Sequence, residues 1–273
     1  MPIDISTKSN ITWCPGCPNS QILVAFRKVI SDLADPENST GRLKIENIVG
    51  VAGIGCHGKI SDYINVNTFT SLHGRSIPVM TGIKCANPKL TVIGFTGDGD
   101  SYSEGLEHLL HAAKRNSDIK LFVHDNQVFA LTTGQADARS PKGYKGKSTP
   151  FGSIEEPFNP LLMLLSAGAT FVARTYAGDI NATEKIMKAA ILHKGFSFVD
   201  IIQPCITFFD TRDYLKDKLF WIDENTPKND LNEAIKMVNV NTDKIPLGIF
   251  YSVEKSTFEE ELSRGEASRP SLE

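Results

Sequence analysis

The feature that most constrains this chain is a buried strand emptying into an acidic glycine turn. Leu90-Thr91-Val92-Ile93-Gly94-Phe95 reads as that strand and runs into Gly97-Asp98-Gly99-Asp100. A helical pattern follows, with Leu106, Leu109, Leu110 and Ala113 on one face, and then a second apolar run, Lys120-Leu121-Phe122-Val123-His124. Strand, loop, helix and strand in so short a span form the pattern of a parallel βαβ unit. In an open sheet of this kind ligands bind beyond the carboxyl ends of the strands, which puts Asp98 at a ligand site.

The rest of the chain extends the same rhythm. Residues 19–33 repeat Ile22, Leu23, Phe26, Ile30 and Leu33 at helical spacing, residues 35–41 form a polar turn, and Ile45 to Val51 reads as a short buried strand. Gly50 to Gly58 is glycine-rich and carries Cys56, so backbone passes close to something there. Residues 132–160 are rich in Gly, Pro, Ser and Lys and read as a long functional loop. Helix at 161–165, strand at 170–174, helix at 183–192 and strand at 196–202 suggest that one sheet continues. After Trp221 the chain reads as polar, closing on a charged tail with Arg269-Pro270. The expected organisation is one α/β domain over 1–210, a parallel sheet with helices on both faces, and a C-terminal extension over 211–273.

Composition removes several function classes. A net charge of −3 and a pI near 6.1 lack the basic excess of a nucleic-acid-binding domain. No stretch approaches the length of an apolar membrane span. Met1-Pro2-Ile3-Asp4 lacks the regions of a secretory signal, so the expected setting is cytoplasmic.

The 5 cysteines, Cys14, Cys17, Cys56, Cys85 and Cys205, are an odd count that argues against a disulfide framework and toward metal or redox chemistry. Cys14-Pro15-Gly16-Cys17 places two thiols on one tight turn. From the residues alone, that pair suits a redox-active dithiol, half of a zinc site or part of an iron–sulfur site.

Gly97-Asp98-Gly99 is not a phosphate loop, since no Gly-Lys-Ser/Thr follows, and it lacks the three-glycine dinucleotide spacing. The next strand ends in Asp125-Asn126-Gln127-Val128, with Asn126 standing 28 residues after Asp98. One βα crossover separates the two, so both side chains can meet at the same sheet edge. A carboxylate, an amide oxygen and a nearby carbonyl are hard ligands suited to Mg²⁺ holding a diphosphate.

Gly-Asp-Gly followed at this distance by Asn resembles the thiamine diphosphate binding motif. Further motifs stand in family order: Trp13-Cys14-Pro15-Gly16-Cys17, Gly53-Ile54-Gly55-Cys56, Leu72-His73-Gly74-Arg75, Leu131-Thr132-Thr133-Gly134-Gln135 and Gln203-Pro204-Cys205. Together, over roughly residues 10–210, they resemble the β subunit of a 2-oxoacid:ferredoxin oxidoreductase.

The resemblance implies a parallel-sheet thiamine diphosphate-binding fold and a set of site residues. Cys14, Cys17, Cys56 and Cys205 would hold one [4Fe-4S] cluster, leaving Cys85 as a structural thiol. Asp98, Asn126 and the Val128 carbonyl would bind Mg²⁺. Ile54, Gly55, Cys56, His57, His73, Gly99, Asp100, Ala130 and Leu131 would line the thiamine diphosphate. Lys59 resembles a position facing the substrate carboxylate, with a solvated surface lysine as the alternative. His73 has a structural alternative too, and His108 and His111 read as surface residues.

The reaction so implied is coenzyme A-dependent oxidative decarboxylation of a 2-oxo acid, such as pyruvate, with electrons passed to ferredoxin. An α subunit would complete the active site with a glutamate, in an αβ or (αβ)₂ assembly. Departures from the pattern are Asp125 before Asn126, Ala130 where glycine is frequent, Thr133 where lysine is frequent, and the stretch Gln135-Ala136-Asp137-Ala138-Arg139. Two other classes stay open: a non-redox thiamine diphosphate-dependent decarboxylase or carboligase, and a zinc-stabilised binding subunit.

Overall fold

The computed structural model describes residues 3–35, 37, 43–239 and 243–267. The turn expected at 35–41 lies largely outside them, and Arg269-Pro270 lies wholly outside.

One sheet holds β1 (Ile48–Ala52), β2 (Asn67–Thr70), β3 (Thr91–Gly97), β4 (Ile119–Asp125), β5 (Phe171–Tyr176), β6 (Ser197–Ile202), β7 (Leu219–Trp221) and β8 (Ile245–Ser252). Their order across the sheet is β2-β1-β3-β4-β6-β5-β8-β7. The first six strands are mutually parallel, and β8 joins β5 antiparallel, carrying β7 parallel to itself at the far edge.

Helices cover both faces, as expected. Side chains of a strand alternate between faces. Ile93, Phe95, Phe122, Ala173, Val199 and Ile201 therefore share one core with α1 (Asn19–Ala34) and α5 (Ile180–Leu192). Val92, Leu121, Val123, Val172 and Phe198 face the other way. Their cover is α2 (Ser76–Ala86), α3 (Leu106–Arg115), α4 (Pro160–Ala167) and, after the short α6 (Arg212–Lys216), α7 (Leu231–Val238). Phe26 of α1 packs edge-on against Phe95, with ring centroids 4.8 Å apart. Burying such a ring stabilises the fold by about 1.5–3 kcal/mol.

The connection order creates the site. From β1 the chain steps outward to β2, then returns past β1 to form β3 on its other side. The loops that leave β1 and β3 therefore diverge, opening a crevice between the carboxyl ends of those strands.

Three expectations are corrected. Ile45–Asn47 is a 3₁₀ turn, so the strand expected from Ile45 starts at Ile48. The helix after Asp98 opens with a π-helical turn over Gly99–Glu104 before α3 begins. The stretch after Trp221 is not uniformly polar, because β8 is largely buried within the sheet. Pro246 and Gly248 interrupt its apolar run and mask it as a strand, and a place near the sheet edge tolerates both. The last described helix is α8 (Phe258–Ala267).

Beneath β5 and β6, Arg174 donates from Nε to Asp200 Oδ2 at 2.7 Å, and Tyr102 donates from its hydroxyl to Asp200 Oδ1 at 2.9 Å. Asp200 is fully buried. Arg174→Met is expected to destabilise the protein by about 3–5 kcal/mol, because it leaves Asp200 without its ion-pair partner. Urea unfolding measures this, and a loss below about 1 kcal/mol would mean that another cation compensates Asp200.

Candidate functional site

The crevice between β1 and β3 contains a narrow cleft of about 60 Å³. All nine residues named for the thiamine cofactor line it, together with Asp98, Asn126 and Val128. Gly97 of the acidic turn joins them, and Phe129 and Thr132 complete the wall without having been expected there. Their signal in the sequence is position alone, since they stand among Asn126, Val128, Ala130 and Leu131 on one loop.

Close backbone approach explains two of the glycines. A Cβ on Gly53 would stand 2.0 Å from Asp100 Oδ2, and one on Gly97 would stand 2.6 Å from His57 Nδ1. Both positions exclude a side chain so that buried polar groups can reach the cleft.

Asp98 ties the loops after β3 and β4 together. Its Oδ1 accepts from Gly99 N at 3.0 Å, and its Oδ2 accepts from Asn126 N at 2.8 Å and from Gln127 N. Burial pushes the Asp98 carboxyl well up, and the nearby Asp137 and Asp125 push it further. A divalent cation here would offset that excess of negative charge. Asp98, the Asn126 amide and the Val128 carbonyl line the cleft and are the hard oxygens that could hold such an ion.

Asp100 fastens the other wall. Its Oδ1 accepts from Gly74 N at 2.8 Å and from Ile54 N at 3.4 Å, and it stands 3.5 Å from His73 Nδ1. His57 Nε2 lies 3.9 Å from Asp100 Oδ2. Burial, then the neighbouring His124 and His73, hold His57 well below the usual imidazole range. It enters the cleft as a neutral ring.

A second cavity of about 170 Å³ is lined by Cys14, Cys17, Cys56, Cys205 and Lys59. It shares Cys56, Asn126, Ala130 and Leu131 with the first cleft. The four thiols come from the turn before α1, from the loop after β1 and from the loop after β6. Cys17 N donates to Cys14 O at 2.9 Å, closing the Pro-Gly turn. Trp13 Nε1 donates to the Cys56 carbonyl at 2.6 Å, Thr207 Oγ1 lies 3.4 Å from Cys14 Sγ, and Gln203 Nε2 lies 3.7 Å from Cys17 Sγ. Burial pushes the Cys56 thiol up to about 11, with Cys17 and Cys205 adding to the shift. A cationic centre among these sulfurs would favour the thiolates instead.

Zinc holds each thiolate at about 2.3 Å. Among the described residues no group of three or more His, Cys, Asp or Glu side chains converges to hold a single ion. Among the described residues no strand leads into Cys14, whereas a thioredoxin-like dithiol would stand at a strand-to-helix junction.

Lys59 donates from Nζ to the Thr12 carbonyl at 3.2 Å at the rim of the second cavity. Cys85 lies on α2 and lines neither cavity. His111 is exposed and His108 half-buried. The divergent stretch around Arg139 has a structural role, because Arg139 Nε donates to Asp125 Oδ2 at 2.9 Å and pins the long loop to the end of β4.

Comparison with known proteins adds an independent line. Residues 53–201 match the family model described as thiamine pyrophosphate enzyme, C-terminal TPP binding domain. Residues 205–266 match the model for the C-terminal part of the pyruvate ferredoxin oxidoreductase beta chain. The β subunit of 2-oxoacid:ferredoxin oxidoreductase 1 from Aeropyrum pernix is 38% identical, covering 92% of this chain and 81% of its own. The 2-oxoacid:ferredoxin oxidoreductase β subunit from Saccharolobus solfataricus is also 38% identical, over 92% of this chain and 85% of its own. A solved structure of 2-oxoglutarate:ferredoxin oxidoreductase from Magnetococcus marinus, with 2-oxoglutarate, coenzyme A and succinyl-CoA bound, superposes with a TM-score of 0.92. That chain is 32% identical, covering 97% of this one and 89% of its own.

Proposed function

The chain belongs to the family of 2-oxoacid:ferredoxin oxidoreductase β subunits, and on that premise we propose the division of labour among its residues. Asp98, Asn126 and the Val128 carbonyl hold Mg²⁺ against the diphosphate of thiamine diphosphate, while Cys14, Cys17, Cys56 and Cys205 hold one [4Fe-4S] cluster. When bound, the thiamine cofactor supplies the carbon nucleophile and electron sink for decarboxylating a 2-oxo acid, and the cluster supplies a one-electron acceptor.

The observation that carries this reading is the shared wall. Cys56, Asn126, Ala130 and Leu131 belong to both cavities, so these residues would separate a cofactor in the thiamine cleft from an electron acceptor in the cysteine cavity. The non-redox and zinc readings give no reason for that adjacency. His57 stays neutral beside the cleft and adds no competing charge. Lys59, at the rim, offers an ammonium to the substrate carboxylate.

An α subunit supplies the glutamate that activates the cofactor's pyrimidine ring, coenzyme A takes the acyl group, and ferredoxin takes the electrons. The proposed setting is the cytoplasm, a compartment in which thiols stay reduced. Among the described residues no helix is long and apolar enough to cross a membrane.

The test is elemental analysis of the anaerobically purified complex, followed by assay against a panel of 2-oxo acids with coenzyme A. The expected result is about four iron and four sulfide per β chain, with turnover by the complex and none by the isolated β chain. One zinc per chain without iron, or turnover in metal-free protein, would overturn the reading.

A further inference from the structure

Asn19 stands two residues after Cys17 at the start of α1, is 1% exposed, and lines the cavity of the four cysteines. His124, fully buried on β4, has its Nδ1 2.6 Å from Asn19 Oδ1. An amide oxygen only accepts, so Nδ1 carries the proton. Burial pushes the His124 imidazole down to about 3, which keeps that ring neutral.

With Oδ1 held by His124, the planar amide turns its Nδ2 hydrogens to the opposite side. Asn19 Nδ2 is buried and finds no hydrogen-bond partner among the described residues. An orphaned buried donor keeps the full cost of its lost hydration, so a position of this kind calls for an acceptor. The cavity it borders is lined by sulfur.

We propose that the Asn19 side-chain amide donates a hydrogen bond to the sulfur of the cluster at Cys17, and that His124 is the positioning residue that aims it. The proposal rests on the cluster assignment above. Donors to cluster sulfurs stabilise the more negative, reduced state and so raise the reduction potential. The two residues thereby set the driving force for electron transfer without touching the substrate.

The test is a potentiometric titration of the anaerobic complex followed by electron paramagnetic resonance, with Asn19→Leu, His124→Phe and His124→Gln. Asn19→Leu keeps the branched shape and removes the donor, and its cluster potential is expected to fall by the equivalent of about tenfold in the reduction equilibrium, near 59 mV. His124→Phe, which frees the amide to turn, should lower it in the same direction. His124→Gln, which retains a donor for Asn19 Oδ1, should restore much of the parent value.

A second readout is the coupling of exchangeable deuterons to the reduced cluster. One coupled deuteron should vanish in Asn19→Leu, and this measurement needs no turnover. Should Asn19→Leu fail to hold iron, the two His124 variants decide by the same titration. An unchanged potential and unchanged deuteron couplings in iron-replete variants would overturn the proposal alone. A parent complex without iron would instead overturn the functional reading from which it starts.

Discussion

Asp98→Ala is expected to strip thiamine diphosphate from the complex while leaving its iron content unchanged. The substitution removes the only charged ligand of the three oxygens proposed to hold Mg²⁺ against the diphosphate. Loss of one partner from a buried charge pair costs about 2–5 kcal/mol, which is about 30-fold to several thousand-fold in affinity. The same carboxylate accepts from Gly99, Asn126 and Gln127 main-chain N–H groups, so its removal also loosens the turns that shape the cleft. Both effects act in the same direction. Asn126→Ala should weaken binding less, since a neutral amide contributes less charge compensation. Titration calorimetry with thiamine diphosphate and Mg²⁺ measures both variants. Parent-like affinity in Asp98→Ala would return Gly97-Asp98-Gly99 to the status of an ordinary turn.

Cys205→Ala is the mirror experiment. Cys205 lies just beyond β6 and lines the cysteine cavity but not the thiamine cleft. Losing one of four thiolates should leave the cluster absent or labile to oxygen, with thiamine diphosphate affinity within about twofold of the parent complex, a change of under half a kcal/mol. Cys56 is a poorer choice, because it belongs to both walls and its replacement would disturb both sites. Iron and sulfide analysis beside the same calorimetry separates the outcomes. A full complement of iron in Cys205→Ala, with an unaltered cluster spectrum, would remove that cysteine from the ligand set. Asp98→Ala and Cys205→Ala together form a double dissociation that a merely destabilised fold would not reproduce.

Much of this architecture was legible in the sequence, because burial leaves a periodic trace. Strands covered on both faces must be apolar at nearly every position, and Val92 to Phe95 and Leu121 to Val123 carry that mark. Helix α1 shows the complementary trace, with Ile22, Phe26 and Ile30 on its buried side. Gly-Asp-Gly and its matching Asn were also readable, since a single βα crossover links them and local geometry nearly determines their meeting. β2 left no such trace, for its residues are all exposed, and β8 was masked by its proline and glycine.

What local pattern cannot encode is which distant segments become neighbours. Residue identities alone left the Cys14 and Cys17 pair open to several chemistries, and only the resemblance to a family joined it to Cys56 and Cys205. Strand order decided that gathering, by setting the end of β1 and the end of β6 around the turn before α1. The same holds for Asn19 and His124, which are 105 residues apart, and for Arg139, whose role emerged only when its loop folded back onto Asp125. Periodicity specifies which face of an element is buried, and it is blind to the partner. The partner is chosen by the packing of the whole sheet, where α1 must cover the face that β1, β3, β4 and β6 jointly present.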